Sequence, residues 1–274
     1  MAFFETPLIQ LSEATQIIIL AVIQGIAEFL PISSDGHLIS AESFMGGIKD
    51  KTEINLVLHF GTLLSIVVFY WRRLWQLLSE DRRVIPLLIV GTIPAAVVGL
   101  TIKQMFPLFI EDPLLNGFML PITGFLLLML PRMKPGEMEY RDISMKTAFL
   151  IGIAQSLALL PGISRSGTTI VAGCFLGLRR QSAATFSFLL AVPAISGACV
   201  LEAKDIYDQG GLQCSMQWAT IGAIISFAVG LIALSLLVKL LNRGSLHWFA
   251  YWVIPFGLAN VVWQLHLMVQ EMNS

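Results

Sequence analysis

Apolar residues dominate six stretches of the chain: Asn55–Trp71, Val84–Ile102, Leu114–Leu130, Ala183–Leu201, Met216–Leu241 and Leu246–Val269. Each is close to the ~20 residues that a helix needs to cross the hydrocarbon of a bilayer. Two further runs differ from these. Thr15–Leu30 leads into "AEFLPISSDGH" and Thr147–Leu160 into "PGISRSG"; both are short, broken by proline, and polar toward their C-terminal ends. Backbone that leaves the helix at bilayer depth must line a cavity or be buried in protein. The pattern therefore predicts an all-α polytopic membrane protein, with about six full transmembrane helices plus two re-entrant helical hairpins.

The basic residues set the orientation. Arg72, Arg73, Arg82 and Arg83 fill one loop, and Arg132, Lys134, Arg141 and Lys146 another; Arg179 with Arg180, and Lys239 with Arg243, fill two more. The positive-inside rule places all four in the cytoplasm and both termini outside it, in the periplasm of a bacterial inner membrane. That count closes only if Thr15–Gly36 and Thr147–Leu178 each return to the face they left. The two hairpins also match each other: "GIAEFLPISSDG" and "GIAQSLALLPGISRSG" share a G-I-A start, a proline and a serine-rich tip closed by glycine. Each is followed by an apolar segment ending in paired arginines ("FYWRRL", "LGLRRQ") and by a Pro-centred helix. Matching elements entering from opposite faces are expected of an inverted repeat, with halves at about 1–131 and 132–274 of one membrane domain.

Composition agrees with this picture and narrows it. Hydrophobic residues make up 56% of the chain and charged residues 13%, with a mean hydropathy of +0.78. A soluble domain is nearer a quarter charged. The net charge of −1 and the absence of a Lys/Arg-rich tract exclude a nucleic-acid partner and leave membrane lipids as the surroundings. Cys174, Cys199 and Cys214 have no CxxC spacing and read as small apolar fillers. The first residues carry acids and no Lys or Arg, so the N-terminus reads as retained rather than as a cleaved signal peptide. A homodimer stays open.

Arg165 poses the chemical question, because an arginine costs a few kcal/mol or more at bilayer depth and needs a partner or a task. Pro161 and Gly162 break the incoming helix, and Ser166 or Gly167 can cap a new one through Thr168–Leu178. A helix N-terminus is an anion site; Ser164, Ser166 and Thr169 add hydroxyls, and Arg165 adds a planar fork suited to phosphate oxygens. The other reading has Arg165 paired with Glu28 to hold the hairpins together. In the first tip, Gln24 and Glu28 lie four apart on one helix face and could hold a hard divalent cation, or Glu28 could be a protonated acid hydrogen-bonded to a neighbouring helix. Ser33, Ser34, Asp35 and His37 follow Pro31. Ser34 and His37 form a nucleophile–base pair in outline. His59 reads as a packing or secondary polar group, and His247 and His266 as interface residues. Nucleophile, proton shuttle and anion clamp are the parts of a phosphoryl-transfer site, and its depth suggests a phosphate carried on a lipid. The rival is an inverted-repeat transporter or flippase for a phosphorylated lipid, which needs anion ligands but no nucleophile.

At these residues the chain resembles the undecaprenyl pyrophosphate phosphatase, or bacitracin-resistance, family. The E/Q-x-x-x-E motif matches Gln24–Glu28, P-[VI]-S-S-x-G-H matches Pro31–His37, and P-G-x-S-R-S-x-x-T matches Pro161–Thr169 in full. "FSFLLAVP" and "IPAAVVG" are similar to further family segments. The resemblance implies hydrolysis of a polyprenyl (C55 isoprenoid) diphosphate to its monophosphate with a divalent cation, Mg²⁺ or Ca²⁺, at the outer face of the inner membrane. It implies Ser34 as nucleophile, His37 as acid/base, Glu28 and Gln24 as metal or pyrophosphate ligands, and Arg165 as the phosphate clamp. Gly162, Ser164, Ser166, Gly167, Thr169 and Ser33 are the remaining expected phosphate contacts. Asp35, Gln24 and Thr185 depart from the family pattern; Asp35 is expected to take over part of the metal-binding role that Gln24 lacks.

Overall fold

The computed structural model describes residues 11–46, 50–105 and 112–273; the first ten residues, on which the reading of a retained N-terminus rests, lie outside them. The chain is an all-α polytopic membrane protein. Helices α1 (Glu13–Ala27) and α2 (Ser34–Phe44) form a broken pair, and α3 (Lys51–Phe69), α4 (Trp71–Leu78), α5 (Val84–Met105) and α6 (Pro113–Met129) follow. A second broken pair, α7 (Met145–Leu157) and α8 (Arg165–Phe175), precedes α9 (Arg180–Asp208), α10 (Met216–Asn242) and α11 (Ala250–Asn273). Among the described residues, six segments are long and apolar enough to cross a membrane: Lys51–Phe69, Val84–Met105, Pro113–Arg132, Arg180–Asp208, Met216–Asn242 and Leu246–Gln270. They contain the six expected apolar runs with small shifts at the ends. α1 and α7 are too short to span.

Local sequence explains where the broken helices start. Ser12 caps α1 by accepting from Thr15 N, and Ser144 caps α7 by accepting from Thr147 N. At the tips, Ser33 accepts from Gly36 N and Ser164 from Gly167 N, so two S-x-x-G segments cap α2 and α8 in the same way. This corrects the expected start of α8. Ser164, not Ser166 or Gly167, is the cap, and the helix runs from Arg165 to Phe175. The cap leaves Ser34 and Arg165 as the first helical residue of their respective tips.

Packing holds the tips inside the bundle. α3 packs on α10 and α9, α5 on α7 and α9, α1 on α10, and α6 on α11. Gly152 of α7 lies against the backbone of Gly91, and a Cβ there would collide with the Gly91 carbonyl. Gly25 of α1 lies close against the Val229 side chain of α10. Phe29, Phe186 and Phe188 are fully buried beneath the first tip, with Phe29 edge-on to Phe188 at 6.0 Å. Outward positions are apolar as well, including Val97, Phe125, Ile232 and Val262, as expected of surfaces that meet lipid tails.

The four basic loops meet at one end. Arg141 pairs with Asp81 at 3.0 Å, Arg179 with Glu139 at 3.1 Å, Arg180 donates to Leu130 O, and Gln181 donates to Asn242. Lys103–Asp205 and the contacts of Glu53 with Gln213 and Cys214 tie the other end. One element was not foreseen: α4, the segment WRRLWQLL, turns Trp71, Trp75 and Leu78 outward beside Arg72 and Arg73. Tryptophan and arginine side by side suit the boundary between headgroups and water. The three cysteines are buried and free.

Candidate active site

The two tips converge. Arg165 Nη2 donates to Glu28 Oε1 at 2.6 Å, joining the second broken pair to the first, and the side chains are 16% and 6% exposed. Glu28 Oε2 accepts from Ser34 Oγ at 2.8 Å and from Gln24 Nε2 at 3.1 Å; Gln24 Nε2 also reaches Thr62 Oγ1 of α3. One carboxylate thus gathers a guanidinium, a hydroxyl and an amide. The Arg165–Glu28 pairing read from the sequence as the alternative to an anion clamp is present, and it leaves Arg165 Nη1 buried with no partner among the described residues. The two readings of Arg165 are compatible.

These groups line a cavity of about 390 Å³. Its polar wall holds Glu28, Ser33, Ser34, Asp35, Ser164 and Arg165, and its apolar wall includes Ala95, Ala158, Leu159, Ala194 and Ile195. Lys51, Thr52 and Glu202 line it at the end away from the basic loops. Ser33 sits at φ +73°, outside the range that L-residues favour, immediately before Ser34. Backbone held in such a region costs of order 1–3 kcal/mol and clusters at functional sites. The strain turns the chain sharply enough to begin α2 with Ser34 facing Glu28.

Several expected site residues lie elsewhere. The Ser34–His37 pair is not formed. His37 Nδ1 is 2.8 Å from Ser33 O, Nε2 accepts from Trp252 Nε1 at 3.0 Å, and the ring stacks on Phe256 of α11 at 4.5 Å. Aromatic surface from α11 draws the imidazole away from the cavity, where the S-x-x-H spacing alone could not reveal it. Thr169 Oγ1 bonds Arg165 O and Ser187 Oγ, Ser166 Oγ bonds Ser164 Oγ, and Gly162 O accepts from Thr123, so these three support the tip from behind. Gly167 N is occupied by the Ser164 cap. Gly162 adopts φ +93° against the backbone of Asn116, a position that only glycine fills without strain.

His59 gains what His37 loses. Its Nδ1 bonds Asn55 O, and Nε2 points to Glu28 Oε2 at 3.9 Å and Asp35 Oδ1 at 3.7 Å on the cavity wall. The signal was the i, i+4 spacing of Lys51, Asn55 and His59, which forms one face of α3 along the cavity.

The expected cation ligands are not gathered into a ready-made site. Both Glu28 oxygens are engaged, and among the described residues no group of three or more His, Cys, Asp or Glu converges as a metal site. Asp35 keeps its side chain 58% exposed on the cavity wall, with His59 Nε2 3.7 Å from Oδ1 and, among the described residues, no hydrogen bond tying its carboxylate to the tip.

The family model described as "Bacitracin resistance protein BacA" matches residues 17–259, which include every group in this cavity. The chain belongs to the BacA family. Among its relatives is a protein of Rhodopirellula baltica named undecaprenyl-diphosphatase, 49% identical over 93% of this chain and 100% of its own length. Proteins with the same name from Halothermothrix orenii and Methanosphaera stadtmanae are 36% and 35% identical, over 91% and 89% of this chain and 98% and 96% of theirs. The BacA match thus spans both broken helix pairs and the helices that pack them together.

Proposed function

We propose that the chain is a membrane-embedded hydrolase that converts undecaprenyl diphosphate to undecaprenyl phosphate and inorganic phosphate, recycling the lipid carrier for cell-wall synthesis. The observation that carries this is the hydrogen bond from Ser34 Oγ to Glu28 Oε2 in a cavity that also presents Arg165. A hydroxyl on a carboxylate is a nucleophile beside a base, and a guanidinium beside them can stabilise charge on a transferring phosphoryl group. A transporter needs the guanidinium but has no use for the hydroxyl–carboxylate pair.

Ser34 Oγ attacks the terminal phosphorus as its proton passes to Glu28. Undecaprenyl phosphate leaves, and water releases inorganic phosphate from the phosphoserine. Arg165 Nη1 grips a phosphate oxygen while Nη2 keeps Glu28 oriented. Ser33 and Ser164 add hydroxyls to the wall, and the apolar wall receives the first isoprene units. A divalent cation, Mg²⁺ or Ca²⁺, held between Asp35 and the diphosphate would offset the repulsion between that carboxylate and the substrate.

The reading extends to architecture and placement. α1–α2 and α7–α8 are re-entrant hairpins of an inverted repeat divided near residue 131. The packing pairs support this with a different correspondence from the arginine-pair and proline match in the sequence, α3 answering to α9 and α5 to α10: exchanging α1, α3, α5 and α6 for α7, α9, α10 and α11 turns α1·α10 into α7·α5 and α3·α10 into α9·α5, and leaves α3·α9 and α6·α11 unchanged. The protein sits in the bacterial inner membrane with the cavity mouth and both termini facing the periplasm, since the basic loops gather at the other end.

The test is a brief reaction with undecaprenyl diphosphate labelled in its terminal phosphate, quenched in acid. Label should remain on the unaltered protein and be missing from Ser34→Ala. Substantial turnover by Ser34→Ala would make water the nucleophile and Ser34 one more donor.

A further inference from the structure

Gln155 lies on α7, two residues before the helix ends. It is 2% exposed, it lines the same cavity as Ser34 and Arg165, and neither its Oε1 nor its Nε2 has a partner among the described residues. An unmet buried amide costs about 1–3 kcal/mol, a poor bargain for a residue that only packs. Arg165 Nη1 on the same cavity is buried and unpartnered too. Two buried N–H donors without partners among the described residues, on residues that line one cavity, match a ligand rich in acceptor oxygens.

The sequence match of the two tips sharpens the point. In G-I-A-E and G-I-A-Q, Glu28 and Gln155 hold the same place, and both side chains reach one cavity. Glu28 supplies the carboxylate that Ser34 and Arg165 use. A second carboxylate at 155 would repel a diphosphate, whereas an amide keeps the shape and offers N–H groups instead. We propose that Gln155 is a substrate-contacting residue, its Nε2 and the free Nη1 of Arg165 together cradling the diphosphate headgroup. This rests on the diphosphatase reading above.

Gln155→Met keeps an unbranched side chain of similar volume without the amide, and Gln155→Glu keeps the shape and adds charge. Hydrolysis of undecaprenyl diphosphate by the purified protein is followed as kcat and KM, with thermal unfolding recorded for each variant. Loss of a hydrogen bond to a charged group should raise KM about ten- to a hundredfold in Gln155→Met, with kcat within about threefold. Gln155→Glu should raise KM further while unfolding close to the unaltered protein. A purely packing role would give the reverse: unchanged KM in Gln155→Met and a lowered unfolding temperature in Gln155→Glu. Unchanged KM in whichever variant folds overturns the inference and leaves the diphosphatase reading intact. Failure of the unaltered protein to release phosphate overturns both.

Discussion

The Arg165–Glu28 pair joins the two halves of the site, and a double-mutant cycle separates its structural from its chemical role. The perturbations are Glu28→Gln, Arg165→Met and the two together. Nη2 and Oε1 are 2.6 Å apart, with side chains 16% and 6% exposed, so the pair belongs with buried rather than surface ion pairs. Removing one partner of a buried pair strands the other charge and costs about 3–5 kcal/mol. A neutral interhelical hydrogen bond in a membrane averages only about 0.6 kcal/mol, so the stranded charge dominates the result. After Arg165→Met, Glu28 keeps the Ser34 hydroxyl, the Gln24 amide and, at 3.9 Å, the His59 imidazole, none of which replaces the guanidinium at 2.6 Å. After Glu28→Gln, the Arg165 guanidinium loses its only ion pair among the described residues. The double variant leaves no stranded charge and should return to within about 1–2 kcal/mol of the unaltered protein, as neutral replacements of buried pairs often do. Turnover should behave differently. Base and clamp each account for roughly a hundredfold or more, so all three variants should be nearly inactive. Equilibrium unfolding in detergent measures the first quantity and phosphate release the second. Singles that cost under about 1 kcal/mol would make the pair no better than a surface contact, and a double variant with restored turnover would refute the chemical roles.

Two further outcomes are expected. His37 is held between Ser33 O, Trp252 and Phe256 and points away from Ser34, so His37→Ala should lower kcat by loosening α2 without moving the acid-side inflection of the pH–rate profile; a displaced inflection would restore it as the acid/base. Chelator should abolish activity and Mg²⁺ or Ca²⁺ restore it, with Asp35→Asn needing more cation for half activity; an unchanged requirement would remove Asp35 as a ligand.

Length and apolarity made the six spans legible, because bilayer thickness leaves little freedom in either. The tips were legible for a related reason: Pro31, and Pro161 with Gly162, interrupt helices where broken backbone is costly unless it serves a site. Azimuth was not. The S-x-x-H spacing puts Ser34 and His37 on neighbouring faces of one helix, but the side chains that meet those faces come from Glu28, just past the end of α1, and from Trp252 and Phe256 on α11. Likewise, the i, i+4 row of Lys51, Asn55 and His59 marks one polar face of α3 but not what that face meets; that depends on α1 packing beside it. Ser164 was passed over as a cap because Ser166 and Gly167 are equally suitable by composition, and only the hydrogen bond to Gly167 N decides. α4 was hidden by its arginines, which read as a loop although WRRLWQLL alternates its tryptophans and charges at helical spacing.

The central claim is that the cavity between the two tips cleaves a lipid diphosphate through Ser34, Glu28 and Arg165. Its most direct test reconstitutes the purified protein in lipid vesicles with undecaprenyl diphosphate and a divalent cation, then measures inorganic phosphate and undecaprenyl phosphate together. The two products should appear in equal amounts from the unaltered protein and fall at least a hundredfold with Ser34→Ala. Transfer of intact undecaprenyl diphosphate across the vesicle bilayer without phosphate release would contradict the account and identify a carrier instead.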